Sequence, residues 1–229
     1  MKQIQSAAKT NSIAVFLGFS ENDNNSAYIA QVLIGPDGQI VSHRRKMKPT
    51  HMERTIFGDA SGECFASVAE LPFARDIHVS AWPSLTPHSG GPELWSMSAE
   101  GCHAQSQTYA MESQSFVLHY TALITEAGVE KMKTSGGMGM SSPGGGSSAI
   151  FGPDGRRLTE PVNSTTETII YSDLDLDQII ATKLFADATG HYSRPDLMSL
   201  SVCTRVKKIV CEDGKLGDTE VICDLNDSE

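Results

Sequence analysis

The chain has 229 residues, a length that a single α/β domain can occupy and that suffices to bury one substantial core. Hydrophobic residues make up 39% and charged residues 20%, which is typical of a globular protein, and no apolar run is long enough to cross a membrane. The formal net charge of −10 argues against a nucleic-acid partner, because phosphate binding relies on clustered Lys and Arg.

The N-terminal part predicts a short helix over residues 2–10 and a buried strand over Ser12–Phe19, which the polar run ENDNNS ends. The first residues have no continuous apolar segment of the secretory kind, so a cytoplasmic location is expected. The apolar run from Ala27, the GPDG turn at Gly35–Gly38 and the segment QIVSHRRKMK predict a β-hairpin. A second GPDG turn, at Gly152–Gly155, lies between SSAIF and RRL, which suggests two similarly built halves.

The rest of the chain alternates predicted strands and helices. Ile77–Trp82 is a strand, Pro92 begins a helix that continues through Gln114, and SFVLHYTALIT and TETIIYSDL are further strands. The segment DLDQIIATKLF predicts a helix with one apolar face, formed by Leu176, Ile179, Ile180 and Leu184. We expect one α/β domain over residues 1–205, with mixed sheets covered by helices, and a charged tail over 206–229.

Five cysteines occur without any CxxC pair, at Cys64, Cys102, Cys203, Cys211 and Cys223. An odd number without paired spacing argues against a disulfide framework or a zinc cluster. Each is expected to be a reduced, packed thiol, and nothing in the sequence indicates a metal or an organic cofactor.

The densest group of charged residues is HRRKMKPTHMER, from His43 to Arg54. By composition alone this segment is a solvated basic strand end. Period-two geometry places Lys46 and Lys48 on the same face of such a strand, so spacing does not choose between the two lysines.

The segment HRRKMKPTHMERTIFGDASG is similar, almost residue for residue, to the lysine motif of nitrilases and cyanide hydratases. The segments IHVSAWPSLTPHSGGPELW, PGGGSSAIFGPDGRRLTEP and GHYSRPDL resemble the same branch of the carbon–nitrogen hydrolases. The resemblance therefore covers nearly the whole chain before its tail. It implies an α-β-β-α sandwich whose protomers pair across helices into homo-oligomers.

The resemblance also implies a Glu–Lys–Cys catalytic set that acts on a small-molecule nitrile without a cofactor. The glutamate is the general base, the cysteine thiolate attacks the nitrile carbon, and the lysine stabilises the developing negative charge. Hydration of the thioimidate releases ammonia and a carboxylic acid, or an amide in the cyanide-hydratase case. Lys46 matches the catalytic lysine of the motif, and Glu53 matches its second glutamate.

Two departures from the family pattern predict an incomplete site. The strand and helix that bear the base glutamate in the family have no counterpart before the segment SAAKTNS, so no residue here is assigned as the base. The cysteine-tryptophan-glutamate-histidine motif of the nucleophile is also absent. The chain instead passes from Phe73 to Arg75 through Ala74, where the family has a strand, the cysteine turn and a helix.

Cys64 is the cysteine nearest to this interval and is the alternative nucleophile, although GECFASVAELPF is similar to the strand that precedes the missing piece. Cys102 is expected to be a helix-packing thiol, and His103 a hydrogen-bonded structural histidine.

Three functional hypotheses follow. The first is a nitrilase or cyanide-hydratase-like hydrolase shortened by truncation or misplaced splice boundaries, and therefore inactive in this form. The second is a catalytically silent homologue that binds into oligomers of a full-length relative. The third is a binder that uses Lys46, Glu53 and Trp82 around a remnant pocket. Neither the particular nitrile nor the choice of acid or amide product follows from the residues.

Overall fold

The structure is a computed structural model that describes residues 1–71, 76–84, 94–137 and 139–202. It shows a mixed α/β chain that divides into two compact units. The first unit is built on Met1–Ala69 and the second on Glu70–Leu200. The single domain expected over residues 1–205 stays a prediction, and the tail expected over 206–229 lies outside the described residues.

The first unit packs one helix on a three-stranded antiparallel sheet of order β1-β2-β3. Its core joins Ala8 of the helix to Val32 and Ile34 of the central strand. The helix is α1 (Lys2–Asn11), the strands are β1 (Val15–Asp23), β2 (Ser26–Ile34) and β3 (Ile40–Arg45), and two 3-10 helices span His51–Thr55 and Gly62–Phe65.

The prediction for β1 was wrong at both ends. Ser12 adopts a left-handed conformation that ends α1, so the strand begins later, at Val15. The strand then continues through the first half of the polar run, to Asp23, because Asn24 and Asn25 form a two-residue hairpin turn with positive φ angles of 49° and 66°. Asparagine tolerates such angles better than other residues with a side chain.

The second unit has a mixed sheet of order β4-β5-β6, with β4 parallel and β6 antiparallel to β5. Its core joins Ala110 of a helix to Val117, Ala149 and Phe151 of the sheet. The strands are β4 (Ile77–Trp82), β5 (Phe116–Thr121) and β6 (Ala149–Phe151), and the helices are α2 (Ala99–Ser113), α3 (Glu126–Met132) and α4 (Asp177–Phe185).

Three sequence predictions differ from this arrangement. The helix α2 begins at Ala99, because the Ser98 hydroxyl caps it by accepting from Gly101 N at 3.1 Å; Pro92 lies outside the described residues. Cys64 lies in a 3-10 helix instead of a strand. The segment TETIIYSDL, residues 166–174, is in neither a strand nor a helix.

The helix α4 forms where the sequence predicts it, but its apolar face is mostly exposed. Ile179 is buried, whereas Ile180 is 60% exposed and Leu184 is 79% exposed. Within the described ranges, no helix is long and apolar enough to cross a membrane.

The two units repeat one local architecture, as the two GPDG turns predict. In each turn the first glycine donates its N–H to the carbonyl of the residue after the turn, at 2.8 Å in both cases. The aspartate side chain accepts from the backbone N–H two residues later, at 2.9 Å from Gln39 to Asp37 and at 3.0 Å from Arg156 to Asp154. The last glycines, Gly38 and Gly155, have φ angles of 80° and 82°.

A glutamine from a helix fastens each turn. Gln5 of α1 donates its side-chain amide to the carbonyl of Gly38 at 3.0 Å, and Gln107 of α2 does the same to Gly155 at 2.9 Å. The residues that follow each glutamine at the next helical turn, Ala8 and Ala110, are both completely buried.

The strand pairing is repeated in the same register. Val15 pairs with Ile34, the residue before the first turn, and Val117 pairs with Phe151, the residue before the second turn. The correspondence continues along both pairs of strands. The Asn22–Ala27 pair lies as far from Val15–Ile34 as the isolated bridge between Ile124 and Gly144 lies from Val117–Phe151. The main difference is the connection between the paired strands, which is the Asn24–Asn25 turn in the first unit and includes α3 in the second.

We expect Gly38→Ala to destabilise the protein more than Gly155→Ala, and both more than Gly136→Ala. A Cβ at Gly38 would lie 2.6 Å from the backbone oxygen of Gln5, whereas at Gly155 it would meet the flexible side chain of Met111 at 2.8 Å. Gly136 has a φ of 75° but nothing within 4 Å, so it isolates the conformational cost of about 1 kcal/mol. Urea unfolding followed by circular dichroism measures the series, and equal losses for all three variants would contradict the close approach of helix and turn.

Candidate active site

Lys46 and Glu53 form an ion pair in the first unit, with Lys46 Nζ donating to Glu53 Oε2 at 2.7 Å. Lys46 follows directly after β3, and its backbone N–H donates to Ile29 O of β2 at 2.7 Å. The strand thus fixes the backbone of the lysine, and the glutamate fixes its ammonium group.

The 3-10 helix His51–Thr55 holds Glu53 in place. The Glu53 carboxylate accepts from the backbone N–H of Thr50 at 2.8 Å and from its hydroxyl at 3.2 Å. Burial raises the pKa of the Glu53 carboxyl. The hydrogen bonds from Lys46 and Thr50 and the charge of Lys46 lower this pKa by more than burial raises it, so it lies below its usual value. The Glu53 carboxylate is therefore ionised at neutral pH.

Lys48 differs from Lys46, although period-two geometry had left the two lysines equivalent. The strand ends at Arg45, so the strand argument does not extend to either lysine. Lys48 binds Asp59 at 2.7 Å, and its side chain is 71% exposed, against 35% for Lys46. A half-buried ammonium is the better placed of the two to act on a bound molecule, since water screens it less.

A charged network around Arg45 was not predicted from the sequence. The guanidinium binds Glu21 through two hydrogen bonds of 2.7 and 3.0 Å and Asp23 at 2.8 Å, and it lies 3.9 Å from the centroid of the Tyr28 ring. The hydrogen bond from Arg45 is the main reason that the pKa of Glu21 is lowered. The network fixes the side chain that precedes Lys46.

The two described cysteines have different environments. Cys64 is half-buried, and its sulfur accepts from the backbone N–H of Arg45 at 3.5 Å, one residue from Lys46. Cys102 is buried on α2, its Sγ lies 3.8 Å from Ser96 O, and burial raises the pKa of the thiol. Cys102 is therefore a protonated packing thiol. Cys203, Cys211 and Cys223 lie outside the described residues.

A buried histidine cluster occupies the second unit. His119 is 1% exposed and its Nδ1 lies 2.8 Å from the Ser106 hydroxyl, while its ring packs 4.7 Å from that of His103. His103 Nε2 donates to Ser147 O at 2.5 Å, which confirms a hydrogen-bonded structural histidine. Trp82 stacks on His119 and donates its indole N–H to Ser80 at 2.7 Å.

Comparison with known proteins identifies the lineage. A sequence model of the carbon–nitrogen hydrolases matches residues 1–81 and 74–184. An arylacetonitrilase of Hypocrea virens is 53% identical over 233 residues, covering 92% of this chain and 71% of the relative. An arylacetonitrilase of Aspergillus kawachii is 52% identical over 235 residues, covering 93% and 72%.

Two solved structures share the fold at low identity. A carbon–nitrogen hydrolase from Helicobacter pylori gives a TM-score of 0.53 with 13% identity, covering 84% of this chain and 72% of that one. Saccharomyces cerevisiae Nit3, a member of branch 10 of the nitrilase superfamily, gives 0.54 with 16% identity, covering 82% and 69%.

The chain belongs to the carbon–nitrogen hydrolase family. Within that family it is a hydrolase of the nitrilase type, since relatives of about half identical sequence are arylacetonitrilases.

The family match is interrupted near the interval that lacks the nucleophile motif. The two matched stretches overlap at residues 74–81 instead of following one another. The alignment with the Hypocrea virens relative runs over 233 positions. It includes 92% of the 229 residues of this chain, which is about 211. About 22 positions of the alignment therefore have no residue of this chain. Both findings support a gap inside the aligned region.

We expect the stability of the protein to fall as the pH drops below about 6.5, because His119 stays neutral in the folded state. Burial, with smaller effects of the His103 and Arg157 charges, lowers the pKa of His119 from 6.5 to about 3. Between these values the unfolded chain binds a proton that the folded chain does not, so stability is lost by about 1 kcal/mol per pH unit.

Urea unfolding at pH 7, 6 and 5 measures this dependence above the range in which carboxylates titrate. His119→Gln should flatten it, whereas replacing the exposed His191 by glutamine should not. An unchanged slope in His119→Gln would show that another group carries the acid sensitivity.

Proposed function

We propose that this chain derives from a nitrilase that hydrolyses arylacetonitriles, and that it retains one part of the catalytic site without the nucleophile. The observation that carries the proposal is the half-buried Lys46–Glu53 ion pair in a chain about 50% identical to arylacetonitrilases. For the complete protein we also propose the α-β-β-α sandwich of the family.

In this proposal, Lys46 supplies the positive charge that stabilises the nitrogen anion formed when a thiolate adds to a nitrile carbon. Glu53 is a positioning residue, because its carboxylate accepts from Lys46 Nζ at 2.7 Å and so aims the ammonium group. The chemistry ends in ammonia and a carboxylic acid, or an amide, after hydration of the thioimidate.

The missing cysteine motif makes the 229-residue chain inactive in this proposal. Loss of the nucleophile in a covalent mechanism lowers kcat by about a millionfold, because the remaining groups act only together with it. Cys64 does not replace the nucleophile here, since no general base is among the residues that the structure shows bonded to its sulfur.

Ammonia release from phenylacetonitrile by the purified chain tests this proposal, with Lys46→Ala and Cys64→Ala as matched variants. We expect release at the level of the protein-free control in all three samples, provided that circular dichroism shows them folded. Turnover in the wild-type chain that disappears in both variants would overturn the proposal and assign the nucleophile to Cys64.

A second candidate function is a silent subunit that joins oligomers of a full-length relative. It is favoured by the exposed apolar side chains of α4, where Leu184 is 79% and Phe185 is 85% exposed. Nearby in sequence, Ile169 and Tyr171 are 72% and 81% exposed. Contiguous exposed apolar surface marks contact sites in soluble proteins.

Size-exclusion chromatography with the Hypocrea virens arylacetonitrilase tests this second function. We expect the chain to co-elute with the relative, and Leu184→Glu to abolish co-elution because it places a charge in the apolar contact. Gln178→Glu is the matched control, since Gln178 lies on the same helix and is exposed but polar. Separate elution of the wild-type chain would exclude the silent-subunit function.

A further inference from the structure

The repeated architecture places different side chains at equivalent positions of the two units. Val15 of the first unit corresponds to Val117 of the second, because each pairs with the residue before its GPDG turn. Counted from these two valines, Leu123 and Thr125 stand at the positions of Glu21 and Asp23. Counted from the two GPDG turns, Val162 and Asn163 stand at the sequence positions of Arg45 and Lys46, while Gly146 N, at the position of Ile29, donates to Ser164 O at 3.0 Å. The second unit therefore lacks both the arginine and the two carboxylates that bind it.

An open pocket occupies this location in the second unit. Its volume is about 270 Å³, and Leu123, Thr125, Val162 and Asn163 are among the residues that line it. In the first unit the equivalent positions hold the Arg45 guanidinium against Tyr28, Glu21 and Asp23. Valine and asparagine are too short to replace an arginine side chain, so the space stays unfilled.

The pocket wall is rich in hydrogen-bond acceptors. Six residues that line it carry hydroxyl groups, namely Thr121, Thr125, Ser147, Ser148, Thr166 and Thr168. The Ser147 hydroxyl is itself buried, and that of Thr125 accepts from Gly128 N at 3.1 Å. The hydroxyl of Thr121 accepts from Ser147 N at 2.7 Å, and that of Ser148 accepts from Thr121 N at 3.0 Å. These two hydroxyls also lie 3.2 Å apart and share a hydrogen bond, so between them they keep one lone pair that can accept from a ligand.

The charge of the wall is negative. Of the twelve described residues that line the pocket, only Glu167 is charged. A carboxylate with several hydroxyl acceptors suits a cation that has many donors and no acceptor, and a guanidinium group has five N–H donors. An anion would meet Glu167 without any lysine or arginine among these twelve residues.

We propose that this pocket binds a small guanidinium-bearing molecule, with Glu167 in the role that Glu21 and Asp23 have for Arg45. The ligand replaces, from solution, the side chain that the first unit supplies from its own chain. The site requires neither Lys46 nor a nucleophile, so it is independent of the proposed nitrile chemistry.

Isothermal titration of the 229-residue chain with ethylguanidinium chloride tests the proposal, with ethylurea as a neutral probe of the same shape. We expect weak but saturable binding of ethylguanidinium, because an exposed ion pair contributes little free energy. Ethylurea should bind at least about tenfold more weakly, because it has fewer donors and no charge. Equal binding of the two probes, or no saturable binding of ethylguanidinium, would overturn the proposal.

Two variants examine the residues. Glu167→Gln should weaken ethylguanidinium binding about tenfold, as expected for the loss of one charged hydrogen bond, whereas Glu160→Gln, at an exposed position outside the pocket lining, should not change it. Val162→Arg should abolish binding by supplying an internal guanidinium. Wild-type affinity in Glu167→Gln would refute the site even if Val162→Arg failed to fold.

Discussion

The contact between a helix and a GPDG turn is the constraint on which each unit depends. The turn needs a glycine with positive φ at its last position, and the absence of a Cβ there lets the helix approach the turn. The glutamine amide then satisfies the carbonyl of that glycine. This contact fixes the distance between helix and hairpin, and with it the packing of Ala8 and Ala110 on their sheets.

The lysine site follows from the same geometry. The first GPDG turn sets the register of β3, and that register places Lys46 beside Ile29 at the end of the strand. The Arg45 network fixes the preceding residue through Glu21 and Asp23. In the second unit the equivalent turn gives the equivalent first pair, Phe151 with Arg157. Val162 and Asn163 stand there at the sequence positions of Arg45 and Lys46, so one architecture gives a charged cluster in one unit and a pocket in the other.

Local patterns predicted the elements that local interactions determine. The strand Ile77–Trp82 and both GPDG turns were predicted correctly, because apolar runs of strand length and turn residues act within a few positions. The segment TETIIYSDL was predicted as a strand from its β-branched residues, but strand formation also requires a partner, and within residues 139–202 that segment has no ladder. The start of α2 was missed because the Ser98 cap and not a proline sets it.

The candidate site was only partly predictable. Lys46 and Glu53 came from resemblance to a family motif, and the structure brings them within 2.7 Å. The Arg45 network could not be found in this way, since Glu21 and Arg45 lie on different strands and no sequence spacing links them. The pairing of His119 with His103 is also tertiary, because one residue is on β5 and the other on α2.

The exposed apolar face of α4 has a consequence for the protein in a cell. Chaperones and proteases act on chains that present such surfaces, in competition with any partner that covers them. A loss of about 1–2 kcal/mol of stability changes the abundance of a protein several-fold. An uncovered apolar face of this kind therefore shortens the time that a folded chain persists in a cell.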